Sequence, residues 1–182
     1  MIDPKSYEAA ETLRNGQTVS IRAIRPDDKT LLVEDFPEMD QRSLYMRFFK
    51  TKNSISDAEL KYFTEVDFID HVALVVVIDL DGKAKIIGGG RYIAYDHPSK
   101  IRSAEVAFMV LDRYQGQGIA TMIMKHLLLI ARDRGIDQFE AEVLVENAKM
   151  LSVFTRSGLP MTRSRDGDVF HVTMPLSGDQ SD

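Results

Sequence analysis

The middle of the chain carries the feature that most restricts its fold: a strand pattern, a turn with two glycines and a long amphipathic helix. The strand is predicted over residues 103–111, and the turn reads Gln115-Gly116-Gln117-Gly118-Ile119-Ala120. After the turn, residues recur at helical spacing, namely Ile119, Ile123, His126, Leu127, Ile130 and Arg134. Gly135 is a natural C-terminal stop for this helix. The unit predicts a sheet that is covered by helices.

Strand and helix patterns continue on both sides of this unit. We predict strands over residues 19–24, 72–78, 86–95 and 139–145, helical segments over 26–49, 57–63 and 147–157, and a final hairpin that turns at Asp166-Gly167. This order predicts an α+β fold with a mixed, mostly antiparallel central sheet flanked by helices. We expect an N-terminal arm or short helix over 1–15, one domain over 16–176 and a disordered tail over 177–182.

Length and composition exclude several classes of protein. A chain of 182 residues suits one domain, and the absence of cysteine excludes disulfides, thiolate catalysis and cysteine-bound zinc. The four histidines show no metal-ligand spacing, so we expect no metal ion. No apolar stretch approaches the ~20 residues of a membrane helix, and the N-terminus lacks an apolar signal core. We therefore expect a cytoplasmic protein without membrane contact.

The negative charge is concentrated in one segment. The net charge is -5, and residues 27–70 hold eleven acidic against six basic residues, which accounts for the whole excess. Nucleic acid is not an expected partner, because phosphate binding requires a basic surface. A cationic acceptor suits this segment. A merely solvated helical face would also explain it.

The glycine-containing turn has the properties of a diphosphate site. Successive backbone N–H groups at a helix N-terminus, aided by the helix dipole, supply donors to concentrated negative charge. Gly116 and Gly118 remove side chains that would block a ligand. The pattern is neither a Walker loop nor the dinucleotide fingerprint. On its own, an ordinary strand-to-helix turn would explain the two glycines equally well.

In its surroundings, the turn resembles the core of the GNAT N-acetyltransferases. Residues 104–111, followed by Gln115 to Ala120 and a helix, are similar to their strand and Gln/Arg-x-x-Gly-x-Gly/Ala loop. Asn147, Phe154 and Gly158-Leu159 resemble their second cofactor-side signature. Residues 21–28, 43–49 and 64–67 look like the acetyltransferase domain of bacterial Pat-type protein lysine acetyltransferases. That domain is often fused to a second module; we see none in these residues and do not expect built-in regulation by a ligand.

The resemblance implies a site for acetyl-CoA. The sheet would splay open after the fourth predicted strand and hold the pantetheine arm in the gap. Backbone groups of Met109, Val110 and Leu111 would bond the arm, and an N–H near Met109 would polarise the thioester carbonyl. The diphosphate would lie on Gln115, Gly116, Gln117, Gly118, Ile119, Ala120 and Thr121, and the opposite wall would consist of Asn147, Met150 and Phe154.

Each of these wall residues also has an ordinary structural explanation. Asn147 is expected as a helix N-cap, and Met150 and Phe154 as core residues. Two positions depart from the family pattern. Gln117 stands where many relatives carry arginine, so a favourable charge is missing near the phosphates, and Ala120 replaces the commoner glycine.

Acetyl transfer to an amine needs a base. A lysine amine with a pKa of ~10.4 is protonated near neutral pH and has no free lone pair. The resemblance implies Glu105 as the general base, although a strand glutamate is otherwise an ordinary surface residue. Glu140, Glu142 and Glu146 are weaker alternatives, and His71 could face the cleft. Many relatives protonate the leaving thiolate with a tyrosine where this chain has Phe154, which cannot donate a proton.

The leading hypothesis is an enzyme that acetylates lysine side chains of proteins by direct attack in a ternary complex with acetyl-CoA. The resemblance suggests AMP-forming acetyl-CoA synthetase as the acceptor protein. Acetylation of a small free amine, such as a polyamine, and a non-catalytic acyl-CoA sensor remain alternatives.

Overall fold

The computed structural model describes residues 1–177, in which eight strands form a single sheet with helices on both faces. The strands are β1 (Glu8–Thr12), β2 (Thr18–Ala23), β3 (His71–Leu80), β4 (Lys83–Asp96), β5 (Arg102–Val110), β6 (Gln138–Leu144), β7 (Thr162–Asp166) and β8 (Val169–Pro175). The α-helices are α1 (Lys29–Asp35), α2 (Gln41–Phe48), α3 (Asp57–Thr64), α4 (Ile119–Asp133) and α5 (Ala148–Arg156). The predicted α+β fold is confirmed. The predicted disordered tail lies outside the described residues beyond Ser177.

Among the described strands, the sheet is splayed where its one parallel pair, β5–β6, separates. The strand order is β1-β2-β3-β4-β5-β6-β8-β7, and every neighbouring pair is antiparallel except β5–β6. That pair is joined only at Ser103↔Gln138, Ala104↔Phe139 and Glu105↔Glu140. The rest of β5 therefore faces an open gap. This is the splay expected after the fourth predicted strand, which is the fifth strand of the structure because β1 precedes it.

The two faces of the sheet are covered by different helices. Strand β3 is buried along most of its length, because α4 packs on one face and α1–α3 cover the other. Contact with α4 is close: a Cβ atom on Gly90 would lie 2.6 Å from Cγ2 of Ile123. Among the described residues, no helix is both long and apolar enough to cross a membrane.

The N-terminal segment is more ordered than the predicted arm or short helix over 1–15. Residues Pro4–Ser6 form a short 3-10 helix, and residues 8–12 form an edge strand paired with β2 that the sequence did not predict. Tertiary contacts hold it: the hydroxyl of Tyr7 lies 2.6 Å from Nδ1 of His126, and Nε2 of the same imidazole lies 2.7 Å from Glu11. Strand β1 is thereby fastened to α4.

The helical segment predicted over residues 26–49 is divided in the structure into separate helices. Helix α1 ends at Asp35 and is followed by a 3-10 turn over Phe36–Glu38, in which Pro37 cannot donate a helical hydrogen bond. Helix α2 then begins anew, with the side chain of Asp40 accepting from the N–H of Arg42. The break creates the separate helices that roof one face of the sheet.

Candidate active site

Strand β5 offers free backbone groups to the gap between β5 and β6. The N–H of Leu111 donates to the carbonyl of Ile87 at 3.0 Å, and the β4–β5 register runs without a shift up to Gly88↔Val110. Bonded and non-bonded pairs alternate in an antiparallel ladder, so Met109 is also bonded to β4, opposite Gly89. The N–H groups of Phe108 and Val110 therefore point into the gap.

This alternation bears on the predicted contact with the pantetheine arm, which stays a prediction. The N–H of Leu111 donates to Ile87, and its carbonyl accepts from the N–H of Tyr114 at 2.8 Å. Met109 directs its backbone groups away from the gap. Val110 keeps the expected orientation, and its carbonyl lies 3.3 Å from Nε2 of Gln115. A donor to a thioester carbonyl would thus come from one of the two neighbours of Met109.

The turn before α4 presents an uninterrupted run of backbone donors. None of the N–H groups of residues 116–121 is bonded to an acceptor in the described part of the chain. Gly118 is the N-cap residue with a φ of 83°, Gly116 has a φ of 80°, and no side chain caps the helix. A helix N-terminus ordinarily leaves four such groups, so this run is longer than usual. It is a site for a concentrated negative charge.

Two basic side chains that sequence reasoning missed lie at this turn. Nη1 of Arg14 donates to the carbonyl of Gly116 at 3.2 Å, and Nζ of Lys149 donates to Oε1 of Gln115 at 3.0 Å. They supply positive charge next to the turn, where Gln117 supplies none. Arg14 is 102 residues from Gly116 in sequence, so no local pattern could have indicated the contact.

A cavity of about 510 Å³ adjoins the turn. Its walls include Gln117, Gly118, Thr121 and the basic side chains of Arg14, Lys125 and Arg156. The side chain of Ile119 is buried, so only its backbone is available to a ligand. Three of the predicted turn residues, Gln117, Gly118 and Thr121, therefore lie around one cavity with Arg14.

Helix α5 contributes its first turn to the far side of the gap. The side chain of Asn147 accepts from the N–H of Met150 at 3.1 Å, which is the N-cap role. Met150 is partly buried against the main core. Phe154 is buried, and its ring lies 6.1 Å from that of Phe108 in an edge-on contact. The predicted roles of these three residues toward the cofactor stay predictions.

Glu105 lies in a row of side chains that crosses four strands. His71 is paired with Ile93, Ile93 with Glu105, and Glu105 with Glu140. Paired residues project from the same face, which is the face that α1–α3 cover. Glu105 is exposed, and no hydrogen-bond partner holds its carboxylate among the described residues. Its carboxylate is thus free to accept a proton at the open edge of this face.

The alternative carboxylates are engaged in other contacts. Glu140 accepts from the hydroxyl of Tyr95 at 2.7 Å and from the amide of Gln138 at 2.6 Å. Burial and the carboxylate of Glu140 raise the pKa of Tyr95 to about 12, so this hydroxyl stays protonated. Glu142 lies 3.4 Å from Nδ1 of His171, and Glu146 lies 3.8 Å from Arg42.

His71 lies on the covered face of the sheet, next to Arg91. Its Nε2 lies 3.0 Å from Nη1 of Arg91, so the imidazole accepts the hydrogen bond. Burial, and then the charge of Arg91, lower the pKa of His71 to about 4. Because the imidazole is neutral near pH 7, it anchors Arg91 without opposing its charge. Within residues 1–177, no three His, Asp or Glu side chains are grouped to hold a metal ion.

Comparison with known proteins agrees with this geometry. The model of the acetyltransferase (GNAT) family matches residues 31–159. The chain therefore belongs to the acetyltransferase (GNAT) family, and the predicted class of enzyme, an N-acetyltransferase, is confirmed. Solved structures agree on the fold: over 92% of this chain and 96% of the other, the GNAT domain of S. lividans PAT is 34% identical with a TM-score of 0.81.

Curated relatives carry the name acetyltransferase. Acetyltransferase Pat of Mycolicibacterium smegmatis is 32% identical over 86% of this chain, and the match covers 46% of that protein. The chain thus spans about half the length of this relative. Acetyltransferase PA5475 of Pseudomonas aeruginosa is 26% identical over 86% of this chain and 82% of its own. The predicted resemblance to the Pat-type domain is confirmed.

Proposed function

We propose that the chain transfers the acetyl group of acetyl-CoA to the side-chain amine of a protein lysine, with Glu105 as the general base. One observation carries the proposal. The unbonded N–H groups of residues 116–121 lie at the end of the gap beside β5, and the same strand carries Glu105. A site for the acetyl-CoA phosphates and a free carboxylate are thereby held by one strand and the turn that follows it.

Acetyl-CoA, the acyl donor, would lie along this strand, with its phosphates at the turn before α4 and its thioester beside β5. The diphosphate fits the N–H groups of residues 116–121, with Arg14 and Lys149 adding positive charge. The pantetheine arm fits the gap beside Phe108 and Val110. Their N–H groups are suited to stabilise the negative charge that develops on the thioester oxygen, an effect worth roughly 3 kcal/mol where such donors have been removed. A solved structure described with its cofactor acetyl-CoA, yncA of Salmonella typhimurium, shares the fold at 17% identity and a TM-score of 0.65.

The reaction requires a neutral amine. Glu105 takes the proton from the lysine ammonium, directly or through a water molecule. The free lone pair attacks the thioester carbon, a C–N bond forms, and the C–S bond breaks as CoA leaves as a thiolate. Phe154 cannot protonate it, but a thiol with an ordinary pKa near 8.5 is an adequate leaving group.

A protein acceptor suits the surface around Glu105. Helices α1–α3, which belong to the acidic segment, cover the face from which Glu105 projects, and Tyr62 and Tyr95 are exposed there. Exposed aromatic side chains are common in protein interfaces. We further propose AMP-forming acetyl-CoA synthetase as the acceptor, on the strength of the Pat-type resemblance.

Labelled acetyl-CoA tests the proposal. The protein is incubated with purified AMP-forming acetyl-CoA synthetase, with a cell extract and with a panel of free amines, and the products are analysed by mass spectrometry. We expect the label on lysine Nε atoms of protein. Labelling of free amines alone would favour a small-molecule acceptor. Binding of acetyl-CoA without any transfer would identify a sensor and overturn the proposal.

A further inference from the structure

A second cavity lies between α1–α3 and the sheet, next to the proposed thioester position. Its volume is about 130 Å³, which is smaller than an ordinary small-molecule pocket and is room for a short acyl chain. Its floor includes Gly89, Ala107 and Met109, and its other walls are mostly apolar. Two arginines, Arg47 of α2 and Arg91 of β4, also line it. Acetyl transfer by itself gives neither arginine a role.

Arg91 lines this cavity from strand β4. On the covered face of the sheet it is paired with Ala73 on one side and Ala107 on the other, and these small side chains leave space around it. Its guanidinium is fixed by Nε2 of His71 at 3.0 Å and packs 4.8 Å from the ring centre of Phe63. These contacts leave several of its five N–H donors free.

Arg47 brings a second positive charge to the same place. Its guanidinium packs 4.8 Å from the ring centre of Phe48, and it forms no hydrogen bond or ion pair with the described residues. Burial lowers its pKa, and burial together with the charge of Arg47 lowers the pKa of Arg91 to about 10. Two partly buried guanidiniums without a carboxylate partner repel each other unless an anion lies between them.

The carboxylates nearby do not satisfy the pair. Asp35 lines the cavity; its Oδ1 is bound by Nζ of Lys85 at 2.9 Å, and its buried Oδ2 has no hydrogen-bond partner among the described residues, so neither oxygen contacts the arginines. The charge of Glu105 partly offsets the lowering of the pKa of Arg47 by burial, yet no ion pair joins the two side chains within residues 1–177. The pair is therefore left with donors for an external carboxylate.

We infer that Arg47 and Arg91 bind the terminal carboxylate of a dicarboxylic acyl group carried by CoA, so that the enzyme also transfers a four-carbon acid such as succinyl. The inference rests on the proposed function. The occupant is the acyl chain because the floor of the cavity, Ala107 and Met109, belongs to the strand that would hold the thioester. Helices α1–α3 cover the cavity from outside, whereas the acceptor approaches along Glu105.

Transfer of the succinyl group forms and breaks the same bonds as transfer of an acetyl group. The lysine nitrogen forms an amide bond with the thioester carbon, the C–S bond breaks, and the amine proton passes to Glu105. The products are CoA and a lysine that carries a terminal carboxylate, with no oxidant or reductant needed. Binding between two guanidiniums would leave this carboxylate ionised and away from the reacting carbon.

The experiment compares donors of equal chain length. Transfer to the acceptor that acetyl-CoA labels best is measured with succinyl-CoA and with butyryl-CoA, which has four carbons and no charge. We expect kcat/KM to be about tenfold higher for succinyl-CoA, in keeping with charge-assisted hydrogen bonds. Arg47→Gln should reduce the succinyl-to-butyryl ratio about tenfold. Lys50→Gln, which removes an exposed charge just after the same helix, should leave the ratio unchanged.

The other outcomes separate this inference from the proposed function. Acetyl transfer with a ratio of one or less for succinyl-CoA would overturn the inference and leave the proposed function standing. Acetyl transfer that prefers free amines bearing a carboxylate, with loss of that preference in Arg47→Gln, would assign the pair to the acceptor and also overturn it. If no donor is turned over, calorimetry decides: equal affinities for succinyl-CoA and butyryl-CoA contradict the inference, and a tighter, Arg47-dependent affinity for succinyl-CoA supports it.

Discussion

Nη1 of Arg14 donates a hydrogen bond to the carbonyl of Gly116 at 3.2 Å, which joins the loop between β1 and β2 to the turn before α4. The guanidinium also lies over the turn, since a Cβ atom on Gly118 would be 3.5 Å from its Nε. The N-terminal segment thus supplies a charge that the turn itself lacks. The position of β1, fastened to α4 through His126, fixes where this charge is placed.

Arg14→Gln should weaken the binding of CoA about tenfold with little change in stability, because it removes a cation beside the diphosphate site. Titration calorimetry at low and at high salt checks this, and the difference between the variants should shrink as salt is added. Lys5→Gln removes an equally exposed charge from the same segment and should bind as the unmodified chain does. Equal affinities for Arg14→Gln and Lys5→Gln would show that Arg14 only supports the loop.

Glu105→Gln should lower kcat at neutral pH by about 100-fold or more and leave the affinity for CoA unchanged, because it removes only the proton acceptor. Turnover of the variant should recover as pH rises toward the pKa of the amine, ~10.4. Steady-state kinetics across pH, together with CoA calorimetry, measure both. Glu142→Gln serves as the control: an equal loss of kcat in that variant would contradict the assignment of the base.

His71 should make stability depend on pH in a defined window. The unfolded imidazole binds its proton near pH 6.5, but the folded one only near pH 4. The unfolded chain therefore holds more protons between these values, so stability is fully present above about 6.5 and falls as pH drops toward 4. In His71→Gln, whose amide oxygen can still accept from Arg91, this part of the decline should be missing. Urea unfolding at a series of pH values measures the free energy of unfolding. An equal decline in this free energy for both proteins from pH 7 to 4.5 would refute the assignment to His71.

Gly90→Ala should reduce the free energy of unfolding by about 1–3 kcal/mol through overpacking. The new Cβ would lie 2.6 Å from Cγ2 of Ile123 and 2.8 Å from Cδ1 of Phe108. Urea denaturation measures the loss. Combining the change with Ile123→Ala, which removes the clashing methyl group, should destabilise less than the sum of the two single changes. Additive losses would mean that the strand shifts to relieve the contact.

Local patterns were sufficient for most of the framework. The long apolar period of α4, the buried run of β3 and the turn at Gly167 each specify their element with neighbours close in sequence. Strand β1 was missed because Glu8-Ala9-Ala10-Glu11-Thr12 has little intrinsic strand preference and is held by β2 and His126. The candidate site likewise has a part that local sequence predicts and a part that it does not. Its turn could be read directly, whereas Arg14 and the Arg47–Arg91 pair depend on contacts between distant segments.

The backbone contacts of Leu111 could not be predicted from the motif, for a physical reason. A sequence motif states which residues lie on a strand, but the register with the neighbouring strand decides which of them turn their N–H groups outward. The bond from Leu111 to Ile87 fixes this alternation along β5: odd-numbered residues direct their N–H groups toward β4, and even-numbered residues direct theirs away from it.

The alternation of odd-numbered and even-numbered residues divides β5 into two independent sets of positions. At 105, 107 and 109 the backbone is bonded to β4 and the side chain lies on the face that α1–α3 cover, while at 108 and 110 the backbone is open to the gap and the side chain packs toward α4. Substitutions in the first set change the side chains on the covered face and leave the backbone groups that face the gap in place. Insertion of a single residue would exchange both sets at once. The length of this strand is therefore more tightly constrained than the identity of the side chains at 105, 107 and 109.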